Sequence, residues 1–348
     1  MKGIVYHGEK DVRVETLPDP TPPDARGAVV KIEATAICGS DLHLYHANFP
    51  LESANAFTLG HEFVGEVMET GSAVTGFRPG DEVLVSGVIG CGACAPCARG
   101  EVVCCLNQQT RVFGTTEHLD GGQAEAAAVP VADHALLRIP DGVTTEQAVL
   151  LTDILPTGFF GARMADISPG DTVVIIGAGP VGIQALLSAQ LFGPARVFQI
   201  DRVPERLAMA ERLGAIPVLA DEADAVIAEA TAGLGAGCVI EAVGLDATIQ
   251  QALHLARAGG TVAVIGVNTS SALAFPMGAA FMKDLTFRTG LVPVPGLWSQ
   301  LVPLVAAGRL RPEVVFTHRM GLSEGAEAYR AFDARENGIL KVLLDPSR

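Results

Sequence analysis

Positive charge is scarce in this chain: Lys and Arg number 24 against 39 Asp and Glu, a formal net charge of −15. Phosphate backbones and anionic lipid surfaces select for Lys and Arg, so the deficit excludes nucleic acid and membrane surfaces as partners. Long apolar runs are also missing. Apolar runs such as 172–176 and 261–265 are only strand-length, far short of the roughly 20 residues that span a bilayer. The opening Met1-Lys2-Gly3-Ile4-Val5-Tyr6 soon turns polar, without the apolar stretch of a secretory signal, and a cytoplasmic protein is expected. No repeat of solenoid period occurs. What is plentiful is glycine and proline, 39 and 21, in a chain 49% hydrophobic and 18% charged, which means a globular chain with many tight connections. Its 348 residues exceed the size at which one core stops growing, so two domains are expected.

The chain changes texture near its middle. Residues 27–33, 62–68, 81–86 and 124–129 read as short strands broken by turn signals, the pattern of an all-β barrel. From Pro169 strands alternate with helices: strand 172–176, helix 181–192, strand 196–200, helix 204–213, strand 238–241, helix 247–257 and strand 260–265. Such alternation gives βαβ units and a parallel sheet. A Pro/Gly cluster at 292–296 ends it, and the last residues mix two helical stretches with a strand at 340–344 that can rejoin the first domain. The expected division is 1–154 with 292–348, and 155–291.

Gly177-Ala-Gly179-Pro180-Val181-Gly182 is a GxGxxG that follows an apolar strand and opens a helix. The first Gly permits the turn, the second admits a pyrophosphate to the backbone, and the third lets helix and strand pack. The helix N-terminus adds amide donors and a positive dipole end. The next strand ends at Asp201, nineteen residues after Gly182, where a carboxylate can accept from both adenosine ribose hydroxyls. That carboxylate repels a 2′-phosphate, so NAD(H) is favoured over NADP, although Arg202 beside it can stack on adenine or neutralise a phosphate.

Six of seven cysteines fall between Cys38 and Cys105. Cys91, Cys94, Cys97 and Cys105 put four thiolates into a lobe at about 90–106, and four protein ligands close a tetrahedral zinc site, which makes it structural. Short CxxC spacings in a reducing compartment favour metal over disulfide, and the absence of a βαβ context disfavours a redox pair. Cys104 and Cys238 read as ordinary small residues. A catalytic ion needs distant ligands and an open position. Cys38, in Cys38-Gly-Ser40-Asp41-Leu-His43, and His61-Glu62 are the candidates.

Together these motifs resemble the zinc-containing medium-chain dehydrogenase/reductase family from end to end. The resemblance implies a GroES-like β-barrel catalytic domain interrupted in sequence by a Rossmann domain. It implies two Zn²⁺ per chain, with Cys38 and His61 as catalytic ligands and Glu62 as a neighbouring acid able to enter or leave the metal shell. The segment Leu151-Thr-Asp153-Ile-Leu-Pro-Thr157 is similar to the one that carries an aspartate ligand in microbial secondary-alcohol and formaldehyde dehydrogenases, which makes Asp153 the third ligand; an N-cap carboxylate is its plainer role. Asp41 is implied as acceptor of the free N–H of His61, Ser40 as receiver of the alcohol proton, and His43 as the base that passes it on. Arg206 is implied near the cofactor ribose, Lys341 at the pyrophosphate, and Val243, Gly266 and Val267 at the nicotinamide rim.

The implied activity is reversible hydride transfer between an alcohol and an aldehyde or ketone. Gly87 stands where liver-type relatives carry a bulky pocket residue, which predicts room for secondary or cyclic alcohols, with Phe49, Ile89 and Trp298 as lining. An exchangeable NAD and a homo-oligomer, tetramer before dimer, are also implied. His46 reads as a surface residue. A zinc-free quinone or enone reductase would need none of Cys38, His61, Asp153 or the lobe. A formaldehyde or polyol dehydrogenase of the same family is a neighbouring reading, and a zinc-binding nucleotide sensor without turnover is opposed only by the Ser40/His43 pair.

Overall fold

The computed structural model describes residues 1–48 and 55–348, which fall into two units, Met1–Pro156 with Val292–Arg348 and Thr157–Leu291.

The first unit is built on a sheet in the order Leu136–Arg138, Glu82–Val85, Phe63–Thr70, Ala28–Ile37, Lys341–Asp345, Phe316–Gly321, with Ala126–Val129 also paired to Ala28–Ile37. Strand Ala28–Ile37 is central because apolar residues cover both its faces: Val30 and Ile32 join one core with Phe63, Val67, Val83 and Val85, and Ile37 joins another with Tyr329, Phe332, Val342 and Leu344. The C-terminal strand returns antiparallel to it, Val342 opposite Ile37 and Leu344 opposite Thr35. The sheet pairing of distant segments thus brings residues near 38, 61 and 341 to one place. Two smaller sheets accompany it among the described residues, Asp11–Thr16, Lys2–Gly8 and Phe57–Thr58 in one and Val88–Ile89 with Arg111–Val112 in the other.

The second unit is a parallel six-stranded sheet in the order Ile216–Leu219, Arg196–Asp201, Thr172–Ile176, Ala236–Glu241, Ala256–Val264, Thr286–Thr289. That is the 3-2-1-4-5-6 order of a doubly wound dinucleotide-binding sheet. Its inner strands are continuous apolar runs because helices cover both faces; Val173, Val174 and Ile175 are wholly buried. Helix Pro180–Ala189 starts with Pro in its first turn, where the missing N–H costs nothing, and tightens to a 3₁₀ turn over Gln190–Phe192.

Two strands of this second unit were not legible in the sequence. Ile216–Leu219 contains Pro217, which the edge position tolerates, and Thr286–Thr289 is a polar edge. Strand Ala256–Val264 also begins four residues before the expected 260, as its pairing with Ala236–Glu241 carries a bulge that absorbs Gly259 and Gly260.

Candidate metal centres and nucleotide cradle

Cys38 follows the central strand directly, and its N–H donates to Asp41 Oδ2 at 2.9 Å as the chain turns into the short helix Asp41–Tyr45. His61 and Glu62 precede the neighbouring strand, which is locked in register by Ala36 N–H and Thr35 Oγ1 donating to the Glu62 carbonyl at 3.0 and 2.8 Å. Asp153 stands immediately before helix Ile154–Met164. Its turn is tied down by Gly87 N–H donating to Thr152 O and Trp298 Nε1–H donating to Leu151 O, both 2.9 Å.

These three segments bring donor atoms of Cys38, His61, Glu62 and Asp153 within 4.8 Å of one another. Asp153 Oδ2 lies 3.3 Å from His61 Nε2 and 3.8 Å from Cys38 Sγ. Ligands of one tetrahedral zinc at about 2.0–2.3 Å stand roughly 3.3–3.8 Å apart, so the donor set fits the ion in chemistry and in spacing. The charge balance fits as well. Burial, and after it Glu62, push the Cys38 thiol up. At His61, burial works against charge, but Asp41, Cys38 and Asp153 outweigh it and raise the imidazole well above its ordinary value. Anionic capacity is concentrated where a divalent cation can balance it.

Glu62 meets a fixed cation of this chain. Lys341 Nζ is 2.6 Å from Glu62 Oε2 and also donates to Ile37 O at 3.1 Å, with both side chains 0% exposed. Burial raises Glu62 against the pull of Lys341, while at Lys341 the attraction of Glu62 and Cys38 outweighs burial and holds the ammonium charged. We take the pair as ionised, because across 2.6 Å each partner's charge favours the charged form of the other. This corrects the expectation that Lys341 contacts the pyrophosphate: its ammonium is enclosed in the first unit between Glu62 and the Ile37 carbonyl.

Asp41 Oδ1 faces His61 Nδ1 at 3.2 Å, the distance of an ion pair without the alignment of a hydrogen bond. Ser40 Oγ lies 3.2 Å from His61 Nε2. His43, on the next turn, is half-buried, and burial and then His46 press its pKa below the ordinary imidazole value. His46, expected at the surface, is partly buried and 2.7 Å from Asp333 Oδ1.

Three expectations about the pocket are corrected. A Cβ on Gly87 would stand 2.7 Å from His61 O and 3.2 Å from Thr152 O, so the missing side chain lets two ligand-bearing segments approach and does not widen a pocket. Trp298 is buried and braces the Asp153 turn. Ile89 belongs to the barrel core. Phe49 lies outside the described residues.

The second cluster is Cys91, Cys94, Cys97 and Cys105, again with all four sulfurs within 4.8 Å. Backbone N–H groups of Ala93 and Cys94 point at Cys91 Sγ from 3.4 Å and lower its pKa to about 6, whereas burial pushes Cys97 up to about 12. Asn107 Nδ2 adds a donor to Cys91 Sγ at 3.3 Å. One sulfur is therefore prepared as a thiolate and all four converge, which suits a closed tetrahedral ion. Cys104 is exposed and stands outside this cluster.

In the second unit Gly177 has φ +100°, and a Cβ on Gly182 would meet Gly177 O at 1.8 Å, so the turn and the close approach both demand glycine. The N-terminus of helix Pro180–Ala189 opens beside the switch point, between strands Thr172–Ile176 and Ala236–Glu241. Asp201 ends its strand there; Oδ2 accepts from Ala178 N–H at 2.6 Å and Oδ1 from Val203 N–H at 2.9 Å. Arg206 Nη1 lies 3.9 Å from where a Gly179 Cβ would stand, and Arg202 is exposed. Val243 and Val267 are part-exposed at later strand ends, where a Cβ on Gly266 would meet Gly244 N at 2.2 Å.

Sequence reasoning missed Glu241, Gln199, Gln123 and Tyr329. Glu241 accepts from Val243 and Gly244 N–H at 2.9 Å and shapes that rim, while Gln199 Nε2 donates to Gly177 O at 2.5 Å. For Glu241 and Gln199 the available signal was a polar residue inside an apolar strand; Gln123, in the turn before strand Ala126–Val129, and Tyr329, on helix Gly325–Ala334, carried no such signal.

Residues 24–141 match the alcohol dehydrogenase GroES-like domain and residues 180–307 the zinc-binding dehydrogenase domain. A probable zinc-binding alcohol dehydrogenase of Mycobacterium tuberculosis is 43% identical over 346 residues, covering 99% of this chain and 89% of that protein. Among solved structures, an alcohol dehydrogenase from Thermus sp. ATN1 superposes with a TM-score of 0.92 at 38% identity over 99% of both chains. A zinc-binding dehydrogenase from Sinorhizobium meliloti bound to NADP gives 0.84 at 30% identity, again over 99% of both.

Proposed function

The chain belongs to the zinc-binding alcohol dehydrogenase family, and from that premise we propose that it is an NAD(H)-linked enzyme that interconverts an alcohol and its aldehyde or ketone, holding one catalytic and one structural zinc. The observation that carries the reading is the convergence of Cys38, His61, Glu62 and Asp153 within 4.8 Å. Cys38, His61 and Asp153 hold the catalytic ion, and Cys91, Cys94, Cys97 and Cys105 the structural one. When bound, zinc supplies Lewis acidity at the reacting oxygen and NAD⁺ supplies the hydride acceptor.

The remaining work belongs to the chain. Asp41 sets the tautomer of His61: a proton on Nδ1 facing the carboxylate leaves the Nε2 lone pair for the metal. Ser40 Oγ, 3.2 Å from that same Nε2, is placed to receive the alcohol proton, and His43, kept neutral at pH 7 by its lowered pKa, takes it onward as base. Lys341 holds Glu62 ionised beside the ligands, in reserve as a further oxygen donor. In the nucleotide unit, the Gly177–Gly182 turn and the helix start take the pyrophosphate. Asp201 takes the ribose hydroxyls, and its charge supports NAD over NADP. Four unpaired thiols crowded into one lobe suit a reducing, cytoplasmic setting.

The test combines metal content with a panel of linear, secondary, cyclic and polyol alcohols against NAD⁺ and NADP⁺, read at the absorbance of the reduced nicotinamide. Alcohol-dependent NADH formation by zinc-loaded protein is expected. Full zinc loading without turnover on any alcohol would assign the chain to the non-catalytic nucleotide-binding reading.

A further inference from the structure

The contact between Asp41 Oδ1 and His61 Nδ1 is not held by an aligned hydrogen bond of its own, so the placement of that carboxylate depends on what grips its other oxygen. Asp41 Oδ2 accepts from Cys38 N–H at 2.9 Å and from Gln123 Nε2 at 3.1 Å. The second Gln123 donor goes to Ala36 O, also at 3.1 Å, and Gln123 Oε1 accepts from Tyr329 Oη at 2.7 Å. All of these side chains are buried. The orientation of the amide is chemically forced. Ala36 O and Asp41 Oδ2 can only accept, so the nitrogen must face them and the carbonyl must face the tyrosine hydroxyl.

Gln123 is equally fixed on the other ligand. Its backbone N–H donates to Leu59 O at 2.8 Å, and Gly122 N–H donates to Gly60 O at 2.8 Å, immediately before His61. Gly60, at φ +98°, leaves the room the glutamine occupies, for a Cβ there would lie 2.4 Å from Gln123 Cγ. One residue therefore joins the segment that carries Cys38 to the segment that carries His61, by side chain on one side and backbone on the other.

We propose that Gln123, braced by Tyr329, is a positioning residue of the catalytic metal site. It aims Asp41 at His61 and sets the spacing of the Cys38 and His61 segments. The inference rests on the zinc reading above. It acts through Asp41, and Gln123 itself touches neither ion nor substrate.

The test uses the full chain as wild type, Gln123→Leu and Tyr329→Phe, loaded with zinc and dialysed against a graded chelator, with zinc counted per chain and the lobe ion as internal reference. Gln123→Leu is expected to release the catalytic ion at roughly 10–100-fold lower chelator concentration, the range typical of lost outer partners of a metal-ligating histidine. Tyr329→Phe should shift release the same way by less, with the lobe ion retained in both. Cobalt exchanged into the catalytic site should show ligand-field bands displaced from those of wild type in both variants, a change that a purely structural role would not produce. If Gln123→Leu does not fold, Tyr329→Phe decides alone, since it deletes only a hydroxyl. A wild type that retains both ions beside variants with unchanged release overturns the positioning role and leaves the zinc reading intact. A wild type that holds only the lobe ion overturns the zinc reading itself, and this inference with it.

Discussion

Lys341 and Glu62 form an ion pair of 2.6 Å with both side chains wholly removed from water, joining the C-terminal strand to the segment that carries His61. Neither charge has a solvent route to compensation. Removing one partner of such a pair costs about 3–5 kcal/mol, because the other is left buried and unpaired. Lys341→Met should therefore lower unfolding stability by about that amount in denaturant titration, and adding Glu62→Gln should recover most of it. A single variant as stable as wild type would mean that the pair is neutral or hydrated in solution.

Asp153→Ala removes a carboxylate 3.3 Å from His61 Nε2 while leaving the lobe untouched. Metal analysis should find the lobe ion alone, with alcohol oxidation abolished and the protein still folded. Retention of both ions together with activity would exclude Asp153 as a ligand.

The acidic limb of the rate profile should report His43. Its pKa lies below the ordinary imidazole value through burial and then the charge of His46, so the neutral, base-competent form persists below pH 6.5 and activity falls only at lower pH. The same shift means that the unfolded chain binds the extra proton more readily than the folded one, so stability declines as pH falls from the ordinary value through the lowered one. His43→Gln should slow turnover by on the order of 10²–10⁴-fold and remove that limb from the kcat profile. An unchanged limb in the variant would assign it to another group.

The proposed preference for NAD is tested at Asp201, whose carboxylate sits at the strand end beside the glycine turn. Asp201→Ser should reduce the preference for NAD over NADP by at least about tenfold in kcat/KM, or about 1.4 kcal/mol. An unmoved ratio would transfer selectivity to Arg202 or Arg206.

Gly182→Ala forces a Cβ to within 1.8 Å of Gly177 O. The turn must open, and the variant should lose the stabilisation that a saturating cofactor gives, about 2.7 kcal/mol at 100 times Kd, while keeping both metals. A normal thermal shift with NAD would show that the pyrophosphate is held elsewhere.

The sequence by itself determined the parts whose cause is local. GxGxxG after an apolar strand, four cysteines in one short lobe, and the switch from short strands broken by turns to strands alternating with helices each depend on residues near one another, so the Gly177–Gly182 turn, the strand ending at Asp201 and the Cys91–Cys105 lobe were legible directly. The grouping of Cys38, His61 and Asp153 came only through resemblance, since nothing local joins residues that far apart. Tertiary structure alone decided the rest. Strand pairing of Ala28–Ile37 with Phe63–Thr70 and Lys341–Asp345 turned Lys341 inward to Glu62, and packing placed Tyr329 and Gln123 behind Asp41. A buried polar side chain is specified by partners supplied from other strands and helices, and a one-dimensional pattern of apolar and polar residues does not record which partners those are.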